Sequence, residues 1–133
     1  MSERWVDQTT FWDPEDDSKG NCTEACIASI FNIPLEEVRP FWDPEMPDSY
    51  RFYRNMENFC MSRGYWLHRI DREFVMEGIY IASGPAARGC SHMVVMRDGE
   101  LLHDPHPSRA GLLEIQHTWL LIPVDPAQFT RKA

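Results

Sequence analysis

The hydrophobic positions of the chain follow two different periods, and the change falls near Gly64. Before it, apolar residues recur every three or four positions, which predicts a helix between residues 21 and 32 and a longer one from about residue 48 to residue 63. A short helical turn is expected at residues 34–38, and three prolines at residues 39–48 predict a loop. The stripes of the two helices consist of Cys26, Ile27, Ile30 and Phe31, and of Phe52, Met56, Phe59 and Cys60.

After Gly64 the pattern becomes that of β-strands, rich in aromatic and β-branched residues and separated by turn residues. Asp98-Gly99 between two of these strands is a strong hairpin signal. Helices first and antiparallel strands second predict the α+β class, with N-terminal helices packed on a C-terminal antiparallel sheet. The expected strands cover residues 65–70, 78–83, 91–96, 100–103 and 117–123.

Length, composition and charge narrow the function classes. A chain of 133 residues that is 43% apolar is expected to form one domain with a real core, spanning residues 1–133. Its 13 basic and 21 acidic residues give a charge of −8, which argues against a nucleic-acid or anionic-membrane partner. An acidic run at residues 13–20 is expected to form a surface loop.

No stretch is apolar over enough residues to span a bilayer, and no signal peptide is visible, so we expect a cytoplasmic protein whose four cysteines are thiols. The sequence contains no nucleotide-binding glycine loop and none of the common metal-binding motifs. We therefore expect no cofactor and no metal.

Cys22 is the first candidate for chemistry. With Asn21 as helix cap and Glu24 completing a capping-box pattern, Cys22 would lie in the first turn of the helix, where backbone N–H groups and the helix dipole favour a thiolate. The preceding Gly20 lets a substrate approach the backbone closely. Taken alone, a cysteine near a helix start is more often a small buried residue.

His92 and Asp104 belong to the two strands of the predicted hairpin. A two-residue turn at residues 98–99 would pair His92 with Pro105 and leave Asp104 on the opposite face. A three-residue turn at residues 97–99 would instead set His92 directly opposite Asp104, so that the carboxylate orients the imidazole. In that register the chain carries a nucleophile, a general base and an orienting acid. The alternative is a hydrogen-bonded strand histidine without a catalytic role.

Residues outside this set could contribute to a cleft. Gln8 could donate to a substrate oxyanion together with the backbone N–H of Cys22, or could be a solvated residue of an N-terminal arm. The turn-rich loop that contains Arg88 and Gly89 precedes the histidine strand and is expected to border the cleft as part of the substrate-binding surface. Arg88 could bind a carboxylate or pair with a surface acid, and Trp42 could cover the cleft or pack in the core.

The remaining cysteines have other interpretations. Cys26 and Cys60 fall on apolar stripes and are expected to pack in the core. Cys90, two residues before His92, is the rival nucleophile, although a strand cysteine lacks activation by a helix dipole. A zinc site drawn from Cys22, Cys26, Cys90 and His92 is the less favoured alternative, because the spacings do not match those of structural zinc sites.

Three short motifs, Gly20-Asn21-Cys22-x-x-Ala25-Cys26, His92-x-Val94-Val95 and Asp104-Pro105, resemble papain-like cysteine hydrolases, in particular the leader-processing peptidase domain of bacteriocin exporters. The longer segments around them, GNCTEACIASIFNIPLEEV, GPAARGCSHMVV and HDPHPSRAGL, also resemble a group of small bacterial and phage-borne proteins. The resemblance implies that Cys22 is the nucleophile, His92 the general base, Asp104 its orienting acid and Gln8 the oxyanion donor. The chain departs from that family in having Thr23 after the cysteine and in placing its glutamine 14 residues before the cysteine.

This resemblance predicts a cysteine peptidase or amidase that cleaves an amide or thioester through an acyl-enzyme, with a peptide or protein as substrate. Deamidation and acyl transfer would use the same residues. The alternative from another class is a catalytically silent papain-like binding or adaptor module.

Overall fold

A computed structural model describes residues 5–12, 20–43, 45 and 48–125 of the chain. Residues 13–19 of the acidic run, and two of the prolines expected in the loop before the second helix, lie outside the described residues. The elements are α1 (Cys22–Phe31), a 3₁₀ helix (Leu35–Glu37), α2 (Ser49–Ser62), β1 (Tyr65–Ile70), β2 (Ile79–Pro85), β3 (Ser91–Arg97), β4 (Glu100–His103) and β5 (His117–Pro123). The α-helices and strands of this set agree with the sequence prediction to within two residues at each end.

The ends of the helices follow local signals. α1 ends at Asn32 in the left-handed conformation, and α2 ends just before Gly64, whose φ of 88° suits a residue without a side chain. Asp48 caps α2, because its carboxylate accepts a hydrogen bond from the backbone N–H of Tyr50 at 2.8 Å.

The five strands form one antiparallel sheet in the order β1-β5-β2-β3-β4. The last strand in sequence, β5, lies between β1 and β2, so it joins the two halves of the sheet. The α+β class, with helices that precede an antiparallel sheet, is confirmed.

The main core lies between the helices and the sheet, and it includes Cys26, Ile27, Met56, Cys60, Ile81, Val95 and Trp119. Cys26 and Cys60 are fully buried there, which confirms their packing role. Burial raises the pKa of Cys60 to about 12 and that of Cys26 well above its usual value, so both remain uncharged thiols at neutral pH.

A smaller cluster covers the other face of the sheet, formed by Tyr80, Ala82, Val94 and Met96. Because both faces are covered, β2 and β3 are buried along most of their length. These two buried strands carry one side of the candidate site to the end of α1. Neither helix in the described ranges has the length and apolarity needed to cross a membrane.

Candidate active site

The N-terminus of α1 is organised differently from the predicted capping box. The side chain of Asn21 does not cap the helix. Its Oδ1 instead accepts hydrogen bonds from the backbone N–H groups of Thr9 and Thr10 at 2.9 and 3.0 Å, and its Nδ2 donates to the Thr9 hydroxyl. Glu24 accepts a hydrogen bond from the backbone N–H of Phe41 at 2.8 Å rather than closing a box. Asn21 therefore holds the N-terminal arm, residues 5–12, against the start of α1.

The N-terminal arm brings Gln8 to the cysteine. Gln8 is 7% exposed and lines the same cleft as Cys22. Its backbone N–H donates to the carbonyl of Pro105 at 3.0 Å, and its Nε2 donates to the carbonyl of Thr10 at 2.9 Å. A Cβ on Gly20 would lie 3.3 Å from this Nε2, so the absence of a side chain at Gly20 makes room for the amide. The 14-residue separation between Gln8 and Cys22 is therefore bridged.

His92 and Asp104 form a buried pair, with His92 Nε2 and Asp104 Oδ1 2.7 Å apart. The prediction that a three-residue turn at residues 97–99 creates this pair is wrong. Arg97 pairs with Glu100, so the turn contains only Asp98 and Gly99, both with positive φ as in a type I′ turn.

A β-bulge in β4 brings the carboxylate to the histidine in spite of the short turn. Met96 pairs with Leu101 but Val95 pairs with His103, so Leu102 is an extra residue without a partner on β3. Because side chains alternate between faces, one inserted residue moves everything after it to the opposite face. Asp104 is thereby returned to the face of His92.

The carboxylate of Asp104 is held from three sides. Besides His92, the backbone N–H of His106 donates to Oδ1 at 2.9 Å and that of Gly111 donates to Oδ2 at 2.7 Å. Burial acts to raise the pKa of Asp104, but the hydrogen bonds from His92, His106 and Gly111 outweigh it and lower the pKa to about 2. Asp104 is therefore ionised throughout the physiological range.

His92 lies between the carboxylate and the thiol. Burial acts to lower its pKa, but hydrogen bonding to Asp104 and Cys22, and the negative charge of both groups, outweigh burial and raise the pKa to about 9. Since Nε2 faces Asp104, the other ring nitrogen, Nδ1, is the one available to Cys22. The arrangement favours a charged imidazolium beside the cysteine at neutral pH.

These groups open into a cleft of about 770 Å³ that contains Cys22, His92 and Gln8. Arg88, Gly89 and Trp42, which the sequence predicts as substrate-binding residues, all line it. Five aromatic residues also line it: Phe11, Trp12, Trp42, Phe52 and Tyr53.

Two alternatives involve the other cysteines: Cys90 as the nucleophile, and a zinc site. Cys90 is half-buried and lines the cleft, but β3 begins only at Ser91, so Cys90 does not share the strand with His92. The suggested zinc ligands, Cys22, Cys26, Cys90 and His92, do not converge. No three histidine, cysteine or carboxylate side chains in the described part of the chain are arranged to hold a metal ion. All four cysteines are free.

One further set of contacts has no signal in the sequence. Arg109, in the left-handed conformation with φ of 55°, extends its guanidinium to both carboxylate oxygens of Asp7 and to the backbone carbonyl of Asp104. It therefore ties the N-terminal arm, which carries Gln8, to the loop that carries Asp104. Asp7 and Arg109 are 102 positions apart, so local pattern could not have paired them.

Comparisons with protein-family models, with curated proteins and with solved structures found no match to the chain. The functional interpretation of the cleft therefore depends on its residues and their geometry.

Proposed function

We propose that the protein is a cysteine hydrolase with a papain-like fold that cleaves an amide or thioester bond through an acyl-enzyme. The observation that carries the proposal is the position of His92, which interacts with Cys22 on one side and is paired with the buried Asp104 on the other. A helix that begins at the cysteine and packs on a sheet bearing the histidine also supports the papain-like assignment.

In the first step, the Cys22 thiolate attacks the carbonyl carbon and forms a C–S bond while the carbonyl electrons move to oxygen. The backbone N–H of Cys22 has no partner within the helix, because it belongs to the first turn. Gln8 Nε2 carries two hydrogens, of which one is donated to Thr10. The second hydrogen and the Cys22 N–H are the donors for the oxyanion.

His92 then completes both halves of the reaction. Its imidazolium gives a proton to the leaving amine or thiolate as the scissile bond breaks, which leaves the acyl group on Cys22. The neutral imidazole next accepts a proton from water, whose oxygen forms a bond to the acyl carbon. The C–S bond then breaks, which releases the acid and restores the Cys22 thiolate beside the His92 imidazolium. Asp104 keeps the imidazole in one orientation and stabilises its charged form throughout.

The test uses two small reagents that need no knowledge of the natural substrate. Iodoacetamide is applied between pH 5 and 9, and labelled cysteines are mapped by mass spectrometry; we expect Cys22 to react selectively below pH 7 and His92→Ala to abolish this selectivity. p-Nitrophenyl acetate should give a burst of p-nitrophenol, with the acetyl group on Cys22, followed by turnover.

Cys90→Ser is the matched control, because Cys90 is the other thiol of the cleft. In that variant the label should remain on Cys22, whereas Cys22→Ser should lose both burst and turnover. Four equally slow thiols, or acetylation at Cys90, would contradict the proposal.

A further inference from the structure

We propose that the cleft recognises its substrate through a carboxylate that pairs with Arg88. This inference rests on the proposed function, since it concerns the substrate that Cys22 attacks, and it specifies an acidic substrate class.

The described lining of the cleft differs in charge from the protein as a whole. The chain carries a net charge of −8. Among the described residues that line the cleft there is no aspartate or glutamate, and Arg88 is the residue with a permanent charge. A cationic group in a partly enclosed cleft attracts an anionic ligand, whereas the surrounding acidic surface does not.

Arg88 is held at the cleft by a closed turn. The backbone N–H of Gly89 donates to the carbonyl of Ala86 at 3.0 Å, and the N–H of Ala86 donates to the carbonyl of Cys90 at 2.9 Å. Ala86 is 1% exposed and anchors the turn, while Gly89 adopts a φ of 91°. Arg88 forms no ion pair with any residue that the structure describes, so its guanidinium is available to a ligand.

Arg88 also lines the same cleft as the reacting groups Cys22 and His92. His106 contacts His92 with ring centroids 6.2 Å apart. Burial and the positive charge of Arg88 together lower the pKa of His106, and both residues line the cleft. A carboxylate bound by Arg88 would therefore lie in the same cleft as the bond that Cys22 attacks. It could come from the C-terminus of a peptide or from an acidic side chain.

The first experiment compares iodoacetate with iodoacetamide at Cys22. In both reagents the thiolate displaces iodide and forms the same kind of C–S bond, but iodoacetate brings a carboxylate into the cleft. Arg88→Gln should lower the ratio of the iodoacetate rate to the iodoacetamide rate by about two- to fivefold, the size expected for a partly exposed ion pair. Added salt should lower the wild-type ratio.

Arg97→Gln is the matched control, because it removes the same charge from the far end of the strand that begins beside the cleft. It should leave the ratio unchanged. If the iodoacetate-to-iodoacetamide ratio is the same in the two variants, the role of Arg88 is overturned. The proposed function is not affected by that result, because Cys22 still reacts. If iodoacetamide does not select Cys22 in the wild type, the proposed function fails, and this inference with it.

The second experiment separates the two sources of the carboxylate. The first pair is N-bromoacetyl-phenylalanine, with a free C-terminal carboxylate, and its C-terminal amide. The second pair is N-bromoacetyl-glutamate and N-bromoacetyl-glutamine, both with the α-carboxyl group amidated so that they differ in the side chain. Faster alkylation of Cys22 by the acid in the first pair assigns a C-terminal carboxylate, and in the second pair an acidic side chain. Each preference must disappear in Arg88→Gln; equal rates in both pairs would overturn the inference.

Discussion

Replacing Asp104 by asparagine tests how strongly the buried carboxylate holds the imidazolium of His92. The pKa of Asp104 is lowered from 3.8 to about 2, and each pKa unit corresponds to about 1.4 kcal/mol, so ionisation of Asp104 stabilises the fold by about 2 kcal/mol. For His92 the change from 6.5 to about 9 corresponds to about 3 kcal/mol. The two figures describe the same pair and do not add; His92 has the larger one because it also faces Cys22.

The sign of each contribution defines a pH window. The folded pKa of Asp104 is lowered, so its contribution is present above about pH 4 and is lost as the pH falls through 2. The folded pKa of His92 is raised, so its contribution is complete below about pH 6.5 and is lost as the pH rises through 9. The pair therefore stabilises the fold fully between about pH 4 and 6.5.

Urea unfolding at pH 6 is expected to show that Asp104→Asn loses at least about 2 kcal/mol. A further 1–3 kcal/mol, roughly, is expected because the introduced side-chain amide would turn its NH₂ group toward the N–H donor of Gly111 and leave that donor unpaired. The pH-dependent part of this difference should disappear by pH 10, where wild-type His92 is neutral. An NMR titration of His92 should move from a midpoint near 9 to a clearly lower one, because Cys22 alone then opposes the effect of burial.

Asp71→Asn is the control, because Asp71 is an exposed carboxylate paired with Arg69. It should cost about 1 kcal/mol or less. A loss of that small size in Asp104→Asn, or a His92 midpoint that stays near 9, would refute the reasoning.

Three further predictions concern the residues around the pair. Gln8→Ala should slow acetylation by p-nitrophenyl acetate about 100-fold but alkylation by iodoacetamide far less, because only acetylation passes through an oxyanion; equal effects on both rates would remove Gln8 from that role. Arg109→Gln should barely change the urea midpoint but should slow acetylation, and this slowing should vanish in a Gln8→Ala background if Arg109 acts by positioning the arm. Burial raises the pKa of Glu24, whose Oε1 has no hydrogen-bond partner among the described residues, so the ionised side chain costs stability as the pH rises above 4.5. Glu24→Gln should therefore stabilise the protein more at pH 8 than at pH 4 in urea unfolding, and a gain independent of pH would contradict this.

The helices, the strands and much of the candidate site could be predicted because their signals are local. Helical spacing of Ile27 and Phe31 and the Asp98-Gly99 hairpin signal each act within a few residues. Cys22 at a helix start and His92 on a strand are local features of the same kind.

The contacts that complete the site depend on groups far apart in the chain. Local pattern predicts that the Asn21 side chain caps its own helix, but it binds the N-terminal arm instead, because Thr9 and Thr10 offer backbone donors that compete for the same oxygen. The pairing of Arg109 with Asp7 across 102 positions likewise has no local pattern.

The sequence by itself determined the order of the elements, the α+β class and the kinds of residue available for chemistry, since periodicity and turn preferences act at short range. Tertiary structure decided whether those residues meet. The bulge at Leu102 sets the face on which Asp104 lies. The order of apolar and polar residues in this strand does not reveal where an extra residue is inserted. The packing of α1 on β3 then brings Cys22 to His92, because only a shared core fixes the distance between a helix end and a strand.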